Sequence, residues 1–286
     1  MRHVHLVGSV PLRDARQVFT TVSGVLGQCL KRMPDGETGE RSDWITWLEP
    51  AFAENPALEK SDELFRVHAT GTARVRYKLR AGKTVDDVQF DNLFYADIAK
   101  ASYAEFAALK TQGVIPKHVR FQIDLVPAHS VIWLFLQDDL HQPLDPIYNE
   151  ALKREIDKIA AVLPRDQIAI QFDVASAVFA RLQRGEPNAY GKTRADMLAS
   201  FSRILTALAD HEPGDIELLF HFVMATPTTD MWWNRPTWAI WSMWPTGFVR
   251  MSGVRSNLST CRCRVIGATM PILRRWPGCS SDRKPN

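Results

Sequence analysis

Four apolar runs of strand length recur along the chain, separated by segments whose apolar positions fall at helical spacing. Residues 3–9 (HVHLVGS) predict a short buried strand ending in a glycine turn. Residues 119–126 (VRFQIDLV) and 216–222 (IELLFHF) predict two more, and 167–174 (QIAIQFDV) a strand buried on both faces. Between them, residues 12–30, 92–112, 129–163 and 194–210 carry helical patterns. An aromatic amphipathic helix is expected around 42–54, and the alternation over 63–80 predicts two strands. Strands alternating with helices argue for a parallel α/β sheet. Connections of about 40–50 residues, with no GxGxxG after the first strand, favour a (β/α)8 TIM-type barrel over a dinucleotide-binding fold. In such a barrel, chemistry sits at the C-terminal ends of the strands. Here those ends carry Gly8-Ser9, Asp124, Asp173 and His221.

After Phe222 the pattern dissolves. Residues 223–286 show no period of 2 or 3.6, and carry Pro and Trp where a helix should return. This stretch holds nine Lys/Arg against two Asp, a net charge of +7, while the first 222 residues carry 26 basic and 30 acidic side chains, a net of −4. It also contains six of the nine Trp, three of the four Cys and no Glu. The domain reading is therefore a barrel portion over 1–222 followed by an aberrant Trp/Arg-rich tail over 223–286.

Composition narrows the class. With 286 residues, 45% hydrophobic and 23% charged, the chain is globular rather than collagen-like, coiled-coil or disordered. No run approaches the length of a membrane helix, and the N-terminus lacks a signal-peptide layout. Four cysteines do not make a disulfide framework. A cytoplasmic protein with no membrane partner is the expectation.

Three places carry candidate chemistry. Around the loop PDGETGER, Asp35, Glu37, Glu40, Arg41 and Asp43 crowd two glycines; it is either a solvated turn or a loop that presents carboxylates to an amine or metal. Asp173 ends an apolar strand, where a carboxylate is costly unless paired; it is either a site residue or the N-cap of the next helix. His221 holds the matching position one strand later, as a core histidine or a ligand. Asp124 is similar in kind but weaker. Cys261 and Cys263 form a C-x-C pair without the second pair that a zinc motif needs. No P-loop, HExxH or GxSxG is present.

Taken together, HLVGSVPL, MPDGETGERSDWITW, FQIDLVPAHSV, IAIQFDV and ELLFHF resemble proteins similar to the catalytic domain of cobalamin-independent methionine synthase, in the barrel superfamily shared with uroporphyrinogen decarboxylase. The resemblance covers residues 3–222. It implies a (β/α)8 barrel and a zinc ion that activates a small thiol for methyl transfer. It implies that Gly8, Ser9, Glu37, Arg41 and Asp173 bind a small thiol or amino-acid substrate, that Asp35, Glu37 and Asp173 serve catalysis, and that His221 is a metal ligand. The family's H-x-C ligand pair is broken, because the Cys position is Val223. The E-P that follows the family's Q-I-D is absent after Asp173, and the separate folate-binding domain is missing.

Codon arithmetic addresses the broken motif. Shifting the frame back by one nucleotide turns Phe222-Val223 into a codon that allows Cys, forces V-V-E from residues 231–234, and restores acidic residues and a helical pattern downstream. The expectation is that 223–286 are out-of-frame sequence with an early stop, so that the barrel is incomplete at its C-terminal end and the chain as written is inactive. Two other readings stand beside it. One is a metal-free decarboxylase-like barrel enzyme. The other is a binding protein whose basic, Trp-rich tail holds single-stranded nucleic acid or a membrane surface; against it, the tail has no periodicity to present its rings, so no nucleic-acid partner is expected.

Overall fold

The computed structural model describes residues 4–43, 45–66 and 73–222. In chain order these form helix α1 (Ala15–Leu26), strand β1 (Arg32–Pro34), helix α2 (Glu49–Ala53), strands β2 (Leu58–Arg66) and β3 (Ala73–Leu79) and helix α3 (Tyr95–Thr111). Strand β4 (Arg120–Leu125), helices α4 (Ala128–Phe135) and α5 (His141–Val162) and strand β5 (Ile168–Val174) follow. Helices α6 (Ser176–Arg184) and α7 (Arg194–Ala209) lead into strand β6 (Glu217–Phe222). Strands β1, β4, β5 and β6 make one sheet in that order with every neighbour parallel, and β2 pairs with β3 as a separate antiparallel hairpin.

Local chemistry sets the helix starts. The Asp14 side chain accepts the Gln17 N–H at the head of α1. Thr193 and Asp196 make a reciprocal capping box at the head of α7. The strands alternate. One face of the parallel sheet presents Met33, Phe121, Ile123, Ile168, Ile170 and Phe172 to the helices. Phe121 there meets the rings of Phe19 on α1 and Phe106 on α3. The opposite face is polar, as described below.

The fold among the described residues is mixed α/β around a four-stranded parallel sheet. The eight strands of the expected barrel are not all present there: four lie in the sheet, and residues 223–286 lie outside the described residues. The strand expected over 3–9 is corrected. Val4 makes an isolated parallel bridge to Leu30, while the Leu6 and Val7 carbonyls are taken by the side chains of Gln122 and Gln171. Side-chain donors have replaced a ladder. The helix expected around 42–54 is broken into two short 3-10 turns, Gly39–Ser42 and Thr46–Leu48, before the five-residue α2, where Pro50 sits in the first turn. Strand β1 and helix α6 were not anticipated. β1 spans only three residues and ends on Pro34, too short for any periodicity.

Candidate functional site

Alternation along β4, β5 and β6 gives the second face of the sheet three polar layers. The first residues of β1, β4 and β6 are Arg32, Arg120 and Glu217. Glu217 bridges the two guanidiniums, accepting from Arg32 Nη2 at one oxygen and from Arg120 Nη1 at 2.8 Å at the other. In the middle lie Gln122 and Gln171, both essentially fully buried. Gln171 Oε1 pairs with His5 Nε2 at 2.9 Å. The penultimate residues of β4, β5 and β6 are Asp124, Asp173 and His221. Asp173 and His221 are register partners, and His221 Nδ1 lies 3.0 Å from Asp173 Oδ1. Gln122 Nε2 donates to Asp124 at 2.9 Å, and Gln171 Nε2 donates to Asp173 at 2.8 Å.

The loops close on this upper layer. Gly8 has φ +147°, and a Cβ built there would stand 3.1 Å from Asp124 Oδ2 and 3.5 Å from Glu37 Oε2. Only glycine lets the backbone pass between the two carboxylates. Ser9 Oγ donates to Glu37. Glu37 itself holds φ +48°, a left-handed conformation uncommon for a residue with a side chain. Gly36 before it has φ +86°, and a Cβ there would meet Val18 at 2.7 Å. Asp35 maintains this turn: Oδ1 accepts the Glu37 N–H at 3.0 Å, and Oδ2 accepts from Arg41 and from Ser102 Oγ at 2.6 Å. A cavity of about 20 Å3, room for one water-sized group, is lined by Asp35, Glu37, Tyr95, Gln122 and Asp124 among others.

Charge at this end is poorly balanced. Burial raises the Glu37 carboxyl above its ordinary value; Asp173 and Asp35 push the same way, while Ser9 and Arg41 oppose. Burial lifts Asp124 well up, with the charges of Asp173 and Glu37 adding to it. Burial also raises Asp173, opposed by its bond to His221. His5 is pushed down, first by burial and then by Arg32. The lower layer behaves in the opposite sense: Arg32 and Arg120 hold Glu217 below the ordinary glutamate range despite its burial.

The structure therefore brings Gly8, Ser9, Glu37, Asp173 and His221 to one end of one face, and adds Asp124. Asp35 and Arg41 lie beside them but pair with each other. Asp35 accepts the Glu37 N–H and is ion-paired with Arg41. His221, expected as a metal ligand, is hydrogen-bonded to Asp173. Among the described residues, no group of three or more His, Cys, Asp or Glu side chains is placed to hold a metal ion. The described residues do not by themselves fit a zinc centre. Val223, at the missing ligand position, and Cys261 and Cys263 lie outside the described residues. No described helix is long and apolar enough to cross a membrane. The sequence reading passed over Gln122, Gln171, His5 and Ser102. A signal for the two glutamines was present: Q-x-D occurs in both central strands, at 122–124 and 171–173.

Compared with protein-family models, with curated protein sequences and with solved structures, the chain finds no match.

Proposed function

We propose that the polar face is the ligand side of a methionine-synthase-like (β/α) barrel, which holds a small thiol substrate at the C-terminal ends of its strands. One observation carries the reading. Asp124, Asp173 and His221 occupy the same penultimate position in three adjacent parallel strands, and the Gly8-Ser9 turn and Glu37 are folded onto them. Strand ends of that kind are where barrels of this architecture place their chemistry. Glu37, Asp124 and Asp173 supply acceptors for a cationic group on the ligand, and Ser9 fixes the Glu37 carboxylate. Asp173 orients His221 by accepting at Nδ1, which leaves Nε2 as the ring nitrogen turned to other partners. In the family it resembles, a bound zinc would lower the pKa of the substrate thiol and hold it as the thiolate. The second ligand position here is Val223, and no step is routed through a metal. The chain as written is proposed to bind ligand without transferring a methyl group.

Two experiments test this. Resequencing the coding DNA across residues 222–231 is expected to reveal an extra or missing base; reads that confirm the frame would overturn the out-of-frame assignment of 223–286. The 286-residue chain and its frame-restored counterpart are then assayed for bound zinc and for methyl transfer to a thiol. The restored protein is expected to gain both. If the restored protein is inactive and metal-free, the methyl-transfer reading fails.

A further inference from the structure

We propose that Gln171 is a positioning residue of this site: it orients the Asp173 carboxylate and, through it, holds His221 in the Nδ1–H form with the ring lone pair on Nε2. The functional meaning rests on the reading of the strand ends as the ligand side; the placement of the protons does not.

Proton positions follow from a group that can only accept. Gln171 lies in the middle of β5, fully buried, and its Nε2 reaches both the Val7 carbonyl and Asp173 Oδ1 at 2.8 Å. A backbone carbonyl has no proton to give, so the amide nitrogen must face it, and the flipped amide is ruled out. Both Nε2 hydrogens are thereby committed. Oε1 is left to accept, and it lies 2.9 Å from His5 Nε2, which must carry a proton. At the other end, Asp173 Oδ1 takes a Gln171 hydrogen and lies 3.0 Å from His221 Nδ1. A carboxylate offers only acceptors, so Nδ1 carries the ring proton and the lone pair is left on Nε2.

Gln171 adds orientation. The last torsion of an aspartate is broad and roughly two-fold; the amide bond pins Oδ1 opposite Nδ1, between register partners on two strands. The same amide ties the segment before the Gly8-Ser9 turn to Asp173, through the Val7 carbonyl and His5. The neighbouring strand supplies a contrast. Gln122 makes matching bonds, to the Leu6 carbonyl at 3.1 Å and to Asp124 Oδ1 at 2.9 Å. Its Oε1 has no partner, and among the described residues no histidine is bonded to Asp124. Of the two glutamines, Gln171 alone is anchored at its oxygen by a histidine and alone has an aspartate that carries a ring.

The test is ring-nitrogen NMR of the full 286-residue chain labelled with 15N, with no ligand added, at a pH well above the ordinary histidine value of about 6.5. His221→Gln identifies the His221 signals by their loss, and His5→Gln those of His5. The wild type is expected to show Nδ1 protonated and Nε2 bare at His221, and Nε2 protonated at His5. Asp173→Asn is the deciding variant, near-isosteric and free of the buried charge. Asparagine can offer the ring either its oxygen or its nitrogen. With Gln171 donating, the oxygen should stay between amide and ring, and His221 should keep the Nδ1–H form. Adding Gln171→Met removes that constraint, and the Nε2–H form of His221 should appear. A proton on His221 Nε2 in the wild type overturns the proposal, as does a bare Nε2 at His5. So does a proton that moves to Nε2 in Asp173→Asn while Gln171 is present, or a His221 that stays Nδ1–H in the folded double variant. Where the double variant does not fold, the wild type and Asp173→Asn decide. No thiol takes part in these spectra, so the positioning role can fail while methyl transfer by the frame-restored protein survives, and the reverse.

Discussion

The two ends of one sheet face use the same residue chemistry to opposite effect. At the N-terminal end, Glu217 lies between Arg32 and Arg120, and its carboxyl is held below its ordinary value. At the C-terminal end, Glu37, Asp124 and Asp173 crowd one another, Arg41 is diverted to Asp35, and all three carboxyls are raised. Burial penalises charge at both ends. The sign of the shift is decided by whether the protein supplies the counter-charge. A balanced end is structural. An unbalanced end stores an electrostatic demand that a bound cation can meet, which is how functional sites differ from the frameworks that hold them.

Breaking the balanced end should have the largest effect. Glu217→Gln leaves two guanidiniums, one of them mostly buried, facing a neutral amide. Removing one partner of a buried pair costs about 3 kcal/mol at the low end of the measured range, and solvent at Arg120 keeps the cost there. Urea unfolding should register a drop of that size. A change below about 0.5 kcal/mol would mean that the triad does not hold the strand starts together. Next in size is Gly8→Ala. The φ of +147° and the 3.1 Å approach to Asp124 Oδ2 predict a cost of about 1–3 kcal/mol. Unchanged stability would show that the turn has room the geometry denies.

The sequence exposed this comparison unevenly. The apolar runs at β4, β5 and β6 were legible because their outward faces are continuous Ile, Leu and Phe, and the alternation left Asp124, Asp173 and His221 at strand ends. The glycine-rich loop was legible as chemistry but not as geometry. The bond from the Glu37 N–H to Asp35 Oδ1 is a local Asx-type turn and the Arg41 pair lies within the same loop, but the Ser102 contact that completes the set depends on where α3 docks. The first strand was misread for a related reason: residues 4–8 have strand-like composition, but their carbonyls are met by Gln122 and Gln171 from more than a hundred residues away. The lower ion triad was invisible. Arg32, Arg120 and Glu217 are ordinary charged residues until the parallel register aligns the starts of three strands.

The smallest and most discriminating effects lie at the unbalanced end, and there the signs separate. Asp124→Asn removes a buried charge that has no partner cation while keeping an acceptor for Gln122 Nε2, so it should stabilise the protein at neutral pH by about 1 kcal/mol. A carboxyl raised in the folded state favours folding as it protonates: stability should rise as pH falls from neutral through the folded values of Glu37, Asp124 and Asp173. Asp35, Arg41 and His221 face the same cluster. Below the ordinary glutamate value of about 4.3 the trend should reverse as Glu217, held low by its arginines, takes up a proton and the lower triad is lost. The wild-type and Asp124→Asn stability curves should therefore lie apart at pH 7 and converge on acidification. Parallel curves from pH 7 to 5 would mean that Asp124 titrates alike in the folded and unfolded chain, and the contrast between the two ends would collapse to a difference in position alone.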